Sequence, residues 1–209
     1  MELDDAYANV AHIAGAADYP PRWADRAKTF RNRLAQTGQA KLALPYGDRP
    51  REVLDLFLPD APPKGVCVFV HGGYWLRFDN TYWSHLAVGP LAHGWAVAMP
   101  SYDLCPDVQI ADITCQIACA VSMAAQHIAG PLALTGHSAG GHLVARMGVP
   151  GVLPRHVAQR LQSIVPISPV ADLRPLLKTA MNAQLGLDMD AAKAESPVLM
   201  TPMDVPVTV

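Results

Sequence analysis

The chain has 209 residues, of which 51% are hydrophobic and 16% charged, with a formal net charge of −2 and four cysteines. This composition excludes a disordered chain, and the length is enough for one domain with a sizeable core. A near-neutral balance without a long basic run offers no electrostatic footprint for nucleic acid or an anionic membrane, which leaves small uncharged molecules as partners.

Met1-Glu2-Leu3-Asp4-Asp5 is acidic where a secretory signal is basic, and no apolar run approaches the ~20 residues of a membrane span. A cytoplasmic protein is expected. Cys67 lies inside an apolar run, and Cys115 and Cys119 stand one helical turn apart with no further Cys or His at metal-ligand spacing. Reduced packing thiols and no metal follow.

Residues 1–40 stand apart from the rest. Helix-like stretches at about 3–14 and 22–36 are separated by Tyr19-Pro20-Pro21, and Gly38 closes the second. Arg22, Arg26, Lys28, Arg31 and Arg33 read as a solvated face of that second helix. Residues 51–58 alternate imperfectly and read as a half-buried strand, followed by a proline-rich turn at 59–64. From there, apolar strands at 65–70, 95–99, 132–135 and 163–167 alternate with helices at 111–129 and 139–147. Near-continuous apolar strands separated by helices require a parallel sheet covered on both faces. The expected fold class is α/β: a doubly wound, mostly parallel sheet in a single domain spanning residues 1–209, without repeats or a linker.

Two motifs carry chemistry. Gly136-His137-Ser138-Ala139-Gly140 follows the apolar run Leu132-Ala133-Leu134. That is the form of a nucleophile elbow, in which a strand turns sharply into a helix and glycines on either side of the serine avoid backbone collisions. His71-Gly72-Gly73-Tyr74-Trp75 begins where another apolar strand ends. Ligand sites in open α/β sheets lie at the carboxyl ends of strands, so both motifs face one crevice. The N–H of Gly72 or Gly73, with that of Ala139, supplies the two donors that stabilise an oxyanion during acyl transfer.

These two motifs, extended by Gly141-His142, resemble the kynurenine formamidase (arylformamidase) branch of the α/β-hydrolase superfamily, which neighbours the carboxylesterases related to hormone-sensitive lipase. Ser101-Tyr102-Asp103-Leu104-Cys105-Pro106 and Ser168-Pro169-Val170-Ala171-Asp172-Leu173 also fit that branch, so the resemblance spans roughly residues 50–209. It implies an α/β-hydrolase fold and a cofactor-free serine hydrolase. Ser138 would attack a formamide or ester carbonyl, and water would release the acyl-enzyme. In the formamidase case N-formyl-kynurenine gives kynurenine and formate, a step of tryptophan catabolism; the alternative is a carboxylesterase for small esters. A third reading is a non-catalytic hydrolase-like scaffold, and a homodimer stays open.

The sequence departs from the family at the base. Triad order in this fold is Ser, then Asp or Glu, then His, and only His142 and His156 follow Ser138. His142 is carried away by the helix after the elbow, and His156 lies in the polar segment 154–162. The triad acid and histidine are therefore expected beyond Val209. Either residues 1–209 are part of a longer protein or the chain is a truncated form without catalytic competence; its ending on the apolar strand Val205-Pro206-Val207-Thr208-Val209 favours the first and implies a fold cut at its C-terminal end. Asp172, Asp188, Asp190, Glu195 and Asp204 are expected to cap helices or face water. His137 is expected to make a structural contact, and His71 to anchor the oxyanion loop through its ring. Tyr74 and Trp75, or Tyr82 and Trp83, are candidates for the wall of an aromatic pocket, with core packing the alternative for at least one of them. Residues 1–40 are either a lid over that pocket or a packed appendage.

Overall fold

Five consecutive buried residues, Val66–Val70, form β3, and five more, Ala96–Pro100, form β4. A strand buried on both faces needs cover on both, and the computed structural model, which describes residues 1–209, supplies it. With β1 (Ala40–Pro45), β2 (Val53–Phe57), β5 (Leu132–His137) and β6 (Leu161–Ile167), these strands form one sheet in the order β1-β2-β4-β3-β5-β6. β1 with β2 and β2 with β4 are antiparallel, whereas β4, β3, β5 and β6 are parallel. The expected doubly wound, mostly parallel sheet is present.

One face carries Leu54, Val66, Val68, Val70, Leu132 and Leu134 beneath α3 (Ile110–His127) and α4 (Ala139–Met147). The other carries Phe57, Phe69, Val97 and Met99 beneath α1 (Tyr19–Gln36) and the residues Trp83 and Ala87. Helix α1 buries Ala27, Phe30 and Leu34, a stripe with the spacing of one helical face. Phe30 meets Phe57 edge-on at 5.5 Å, and the Trp23 and Trp83 rings lie 4.7 Å apart. Burying side chains of this size stabilises by about 1.5–3 kcal/mol each. Short helices α2 (Val88–Ala92), α5 (Arg155–Ala158), α6 (Asn182–Leu185) and α7 (Met189–Ala194) fill the connections.

Several expectations are corrected. Tyr19-Pro20-Pro21 does not separate two helices: the prolines occupy the first turn of α1, where their missing N–H groups have no intrahelical partner to lose. The stretch 3–14 forms only the 3₁₀ turn Asn9–His12, which buries nothing, and a helix that short lacks stability without packing. Arg31 leaves the solvated face of α1 to pair with the buried Asp55 at 2.9 Å. The Asp55 carboxylate also accepts the Ala43 N–H at 2.9 Å, where β1 bulges with φ 52°. Cys67 and Cys105 are buried free thiols, but Cys115 and Cys119 are exposed on α3 and do not pack. The strand expected at 205–209 is reduced to a parallel bridge from Val207 to Ile164. No helix is long and apolar enough to cross a membrane.

Candidate active site

Strand β5 ends at His137, α4 begins at Ala139, and Ser138 between them has φ 54° and ψ −116°. A non-glycine residue at such a dihedral pair stores strain of order 1–3 kcal/mol and persists only where its surroundings enforce it. Here the Ser138 N–H donates to Ile167 O of β6 at 2.9 Å, and its carbonyl accepts the His142 N–H at 3.0 Å. A Cβ at Gly136 would collide with Gly140 O, and one at Gly140 with Val70 O, so both glycines flanking the serine are sterically required.

The loop after β3 comes up against this elbow. A Cβ at Gly72 would sit 2.6 Å from His137 O and 3.1 Å from the Ser138 Cβ, so the Gly72 backbone touches the serine turn. Gly73 has φ 124°, a region closed to side chains, and its carbonyl accepts the N–H groups of Leu76 and Arg77. The amides of Gly72, Gly73 and Ala139 donate to no protein acceptor. Three free N–H groups thus lie in the serine turn and in the loop whose Gly72 touches it.

His71 anchors this loop as expected. Its Nδ1–H donates to Gly72 O at 2.8 Å, and its ring stacks on Tyr102 with centroids 4.2 Å apart. Burial pushes its pKa down to about 4, so the ring is neutral. The Tyr102 hydroxyl returns a hydrogen bond to His71 O at 2.9 Å, and the Cys105 N–H donates to Trp75 O at 2.8 Å. The Arg51 guanidinium donates to Tyr102 O at 2.7 Å and to Phe78 O, joining the loop after β3 to the loop after β4.

Trp75 does not reach a pocket wall. It is fully buried, its φ of 58° turning it into the core against His142. Trp83 packs against Trp23 and with it lines a cavity on the α1 face, and Phe78 packs on Tyr82. Tyr74 stays half-buried, and its hydroxyl donates to Tyr7 O at 3.1 Å. Neither later histidine sits on the serine: His142 is buried and donates from Nε2 to Glu195 O at 2.6 Å, while His156 is exposed on α5. Burial holds the His142 pKa down to about 4. His137 is exposed, with its pKa lowered by partial desolvation, and helps line a cavity of about 270 Å³ on the α1 face with Trp23, Phe69 and Ile167.

Among the carboxylates, Asp188 caps α7 through the Ala191 N–H at 2.7 Å and Asp172 pairs with Arg174 at 2.7 Å. Glu195 contradicts expectation: it is buried, pairs with Arg146 at 3.1 Å and accepts the Thr114 hydroxyl at 2.8 Å. A cavity of about 930 Å³ lies over α3 between Tyr46 and Arg146, and none of Ser138, Gly72 or Gly73 lines it. Sequence reasoning missed Arg51, Tyr102 and Glu195 as organisers of the site. Tyr102 had a signal, its place just after the end of β4; Arg51, in an alternating strand segment, had none.

The fold is that of an α/β-hydrolase of the formamidase and carboxylesterase kind. Residues 54–201 match the BD-FAE family, and the chain belongs to it. A kynurenine formamidase from Danio rerio is 28% identical over 176 residues, covering 81% of this chain and 59% of that protein. The chain thus spans less than two thirds of that relative's length. A crystallised thioesterase candidate from Silicibacter sp. tm1040 is 61% identical, with a TM-score of 0.98 over 100% of this chain and 79% of that one. Esterase B from Lactobacillus rhamnosis shares the fold at 19% identity, with a TM-score of 0.64 over 91% of this chain and 71% of that one.

Proposed function

We propose that the protein is a serine hydrolase in which the Ser138 hydroxyl attacks a carboxylic amide or ester carbonyl. The N–H groups of Gly72, Gly73 and Ala139 hold the oxyanion, and water then releases the acyl group from the serine. The observation that carries this reading is the strained Ser138 backbone placed against Gly72, with three undonated amides in its turn and the adjoining loop. Strain of this kind persists only where the surrounding fold enforces it, which supports a working role for Ser138.

The proposed substrate is an arylformamide, N-formyl-kynurenine, hydrolysed to kynurenine and formate in tryptophan catabolism; the kynurenine formamidase relative supports it. Esters of small acids are the second reading, favoured by the esterase fold neighbour and the thioesterase candidate. The proton acceptor is proposed to come from outside residues 1–209. Within them His71 and His142 are fully buried with pKa values pushed down to about 4, a poor match to a base working near neutral pH, and His156 is exposed on α5.

Parallel assays on N-formyl-kynurenine and p-nitrophenyl acetate separate the two readings, and labelling by a fluorophosphonate tests the nucleophile. The formamidase reading expects kcat/KM for the formamide to exceed that for the ester; a formamide rate no better than that of a generic esterase sinks it. Absence of label on Ser138 in the complete protein, where a control hydrolase reacts, turns the reading to a non-catalytic scaffold.

A further inference from the structure

We propose that residues 2–8 form a strap across the mouth of the Ser138 site and select for short acyl groups; the proposal rests on Ser138 being the nucleophile. One end of the strap is fastened to the loop after β6. The Leu3 N–H donates to Lys178 O at 3.2 Å, the Ala180 N–H donates to Asp4 Oδ1 at 2.6 Å, and Glu2 pairs with Lys178 at 3.1 Å. The other end is fastened to the loop after β3, where the Tyr74 hydroxyl donates to Tyr7 O at 3.1 Å. A hydrogen bond from the Tyr7 N–H to Leu3 O at 3.2 Å keeps the intervening residues in one turn.

Sheet order gives this arrangement its meaning. Strand β5 lies between β3 and β6, and Ser138 stands at its carboxyl end. A segment fastened to the loops of both flanking strands crosses the end of β5. The chain beyond agrees: Tyr7 and Tyr74 pack on the core cluster beneath α3 and α4, whereas α1 covers the opposite sheet face. Residues 9–18, mostly exposed, carry the chain from one face to the other. The expectation of a lid at 1–40 thereby narrows to its first eight residues, because α1 is a packed element of the second core cluster.

The fastening is weak. Glu2 and Lys178 are 66% and 58% exposed, and a surface pair of this kind contributes about 0–1 kcal/mol. Weakly held segments open locally at little cost, which lets substrate enter while the closed strap, with Tyr7 and Tyr74 as its wall, limits the length of the acyl group.

The test measures kcat/KM for p-nitrophenyl acetate and p-nitrophenyl octanoate, together with the rate of Ser138 labelling by a short-chain and a long-chain fluorophosphonate. It compares the full chain with a form lacking residues 2–8 and with the point variants Asp4→Ala and Tyr74→Phe. Loss of the strap is expected to raise the long-to-short ratio roughly tenfold, the scale on which a pocket discriminates alkyl length, in both turnover and labelling. Each point variant moves it the same way by less. If the deletion does not fold, the point variants and the labelling ratio decide the matter alone. An unchanged ratio with intact short-probe labelling overturns the strap and leaves the serine reading standing. Absence of label in the unaltered complete protein overturns both.

Discussion

The Nε2–H of His142 donates to the carbonyl oxygen of Glu195 at 2.6 Å, while the same ring meets the Trp75 indole edge-on at 5.1 Å. The histidine one turn beyond Ser138 therefore joins α4 to the loop carrying Gly72 and Gly73, and on its other side to the segment after α7. That placement, fully buried between two elements, suits a positioning residue. His142→Phe keeps the ring contact but leaves Glu195 O buried without a donor, a loss of about 1–3 kcal/mol in urea unfolding. Fluorophosphonate labelling of the folded variant is expected to fall less than roughly tenfold. A loss on the order of 10⁴ would make His142 the base, since removing one triad member costs that much or more.

Two neutral buried histidines also predict how stability responds to acid. His71 and His142 are both fully buried with pKa values pushed down from 6.5 to about 4; Glu195 and Arg146 are the charged neighbours of His142, and Arg51 and Asp79 those of His71. Between these values the unfolded chain binds protons that the folded chain refuses, so stability is full above about pH 6.5 and is lost as pH falls toward 4. Each histidine is expected to remove about 2 kcal/mol between pH 7 and pH 5. Urea unfolding at the two pH values measures it. His142→Phe should lower stability at pH 7 yet flatten the pH dependence by about half; an unaltered slope would place the acid sensitivity elsewhere.

Gly73→Ala probes the oxyanion loop against an internal control. At Gly73 the φ of 124° is closed to alanine and the added Cβ collides with Arg77 O; Gly151 has φ 88° but open space around it. Gly151→Ala should cost only strain, about 1–3 kcal/mol, with kcat unchanged. Gly73→Ala should lose a comparable amount of stability and in addition drop kcat by about 10²–10³, the effect of displacing one oxyanion donor. Equal kcat in the two variants would remove Gly73 from the oxyanion hole.

The catalytic half of the fold was legible because its signals are local. The alternation of apolar runs with helices gave β3, β4, β5, α3 and α4 within two or three residues, and the glycines of both motifs are forced by collisions within the turn or with the adjoining strand end. The rest depends on partners distant in sequence. β1 escaped notice because it is an exposed edge whose alternation breaks at Ala43, and what holds it is Asp55, twelve residues away. Glu195 looked like a surface carboxylate because nothing near it in sequence reveals Arg146 and Thr114. Trp75 and Tyr74 are adjacent and both have positive φ, yet one enters the core and the other remains half-buried; only the backbone turn at Gly73 separates them.

Arg51 supplies the sharpest separation of positioning from folding. Its guanidinium bonds only to carbonyls, Tyr102 O and Phe78 O, and forms no ion pair; its charge serves to hold the loops after β3 and β4 in one relation. Arg51→Met retains most of the apolar stem and deletes the donors. Hydrogen bonds from a charged donor contribute about 1.5–3 kcal/mol, so some stability goes, but the larger effect is on the geometry around Gly72 and Gly73. A displacement near 1 Å costs roughly 10²-fold, and kcat should fall by an amount approaching that while KM changes much less. In Arg51→Ala, where space is left for it, millimolar guanidinium chloride should restore part of kcat, whereas urea at the same concentration should not. If both variants lose activity only in proportion to the unfolded fraction, and guanidinium restores nothing, Arg51 is a framework residue without influence on the oxyanion loop.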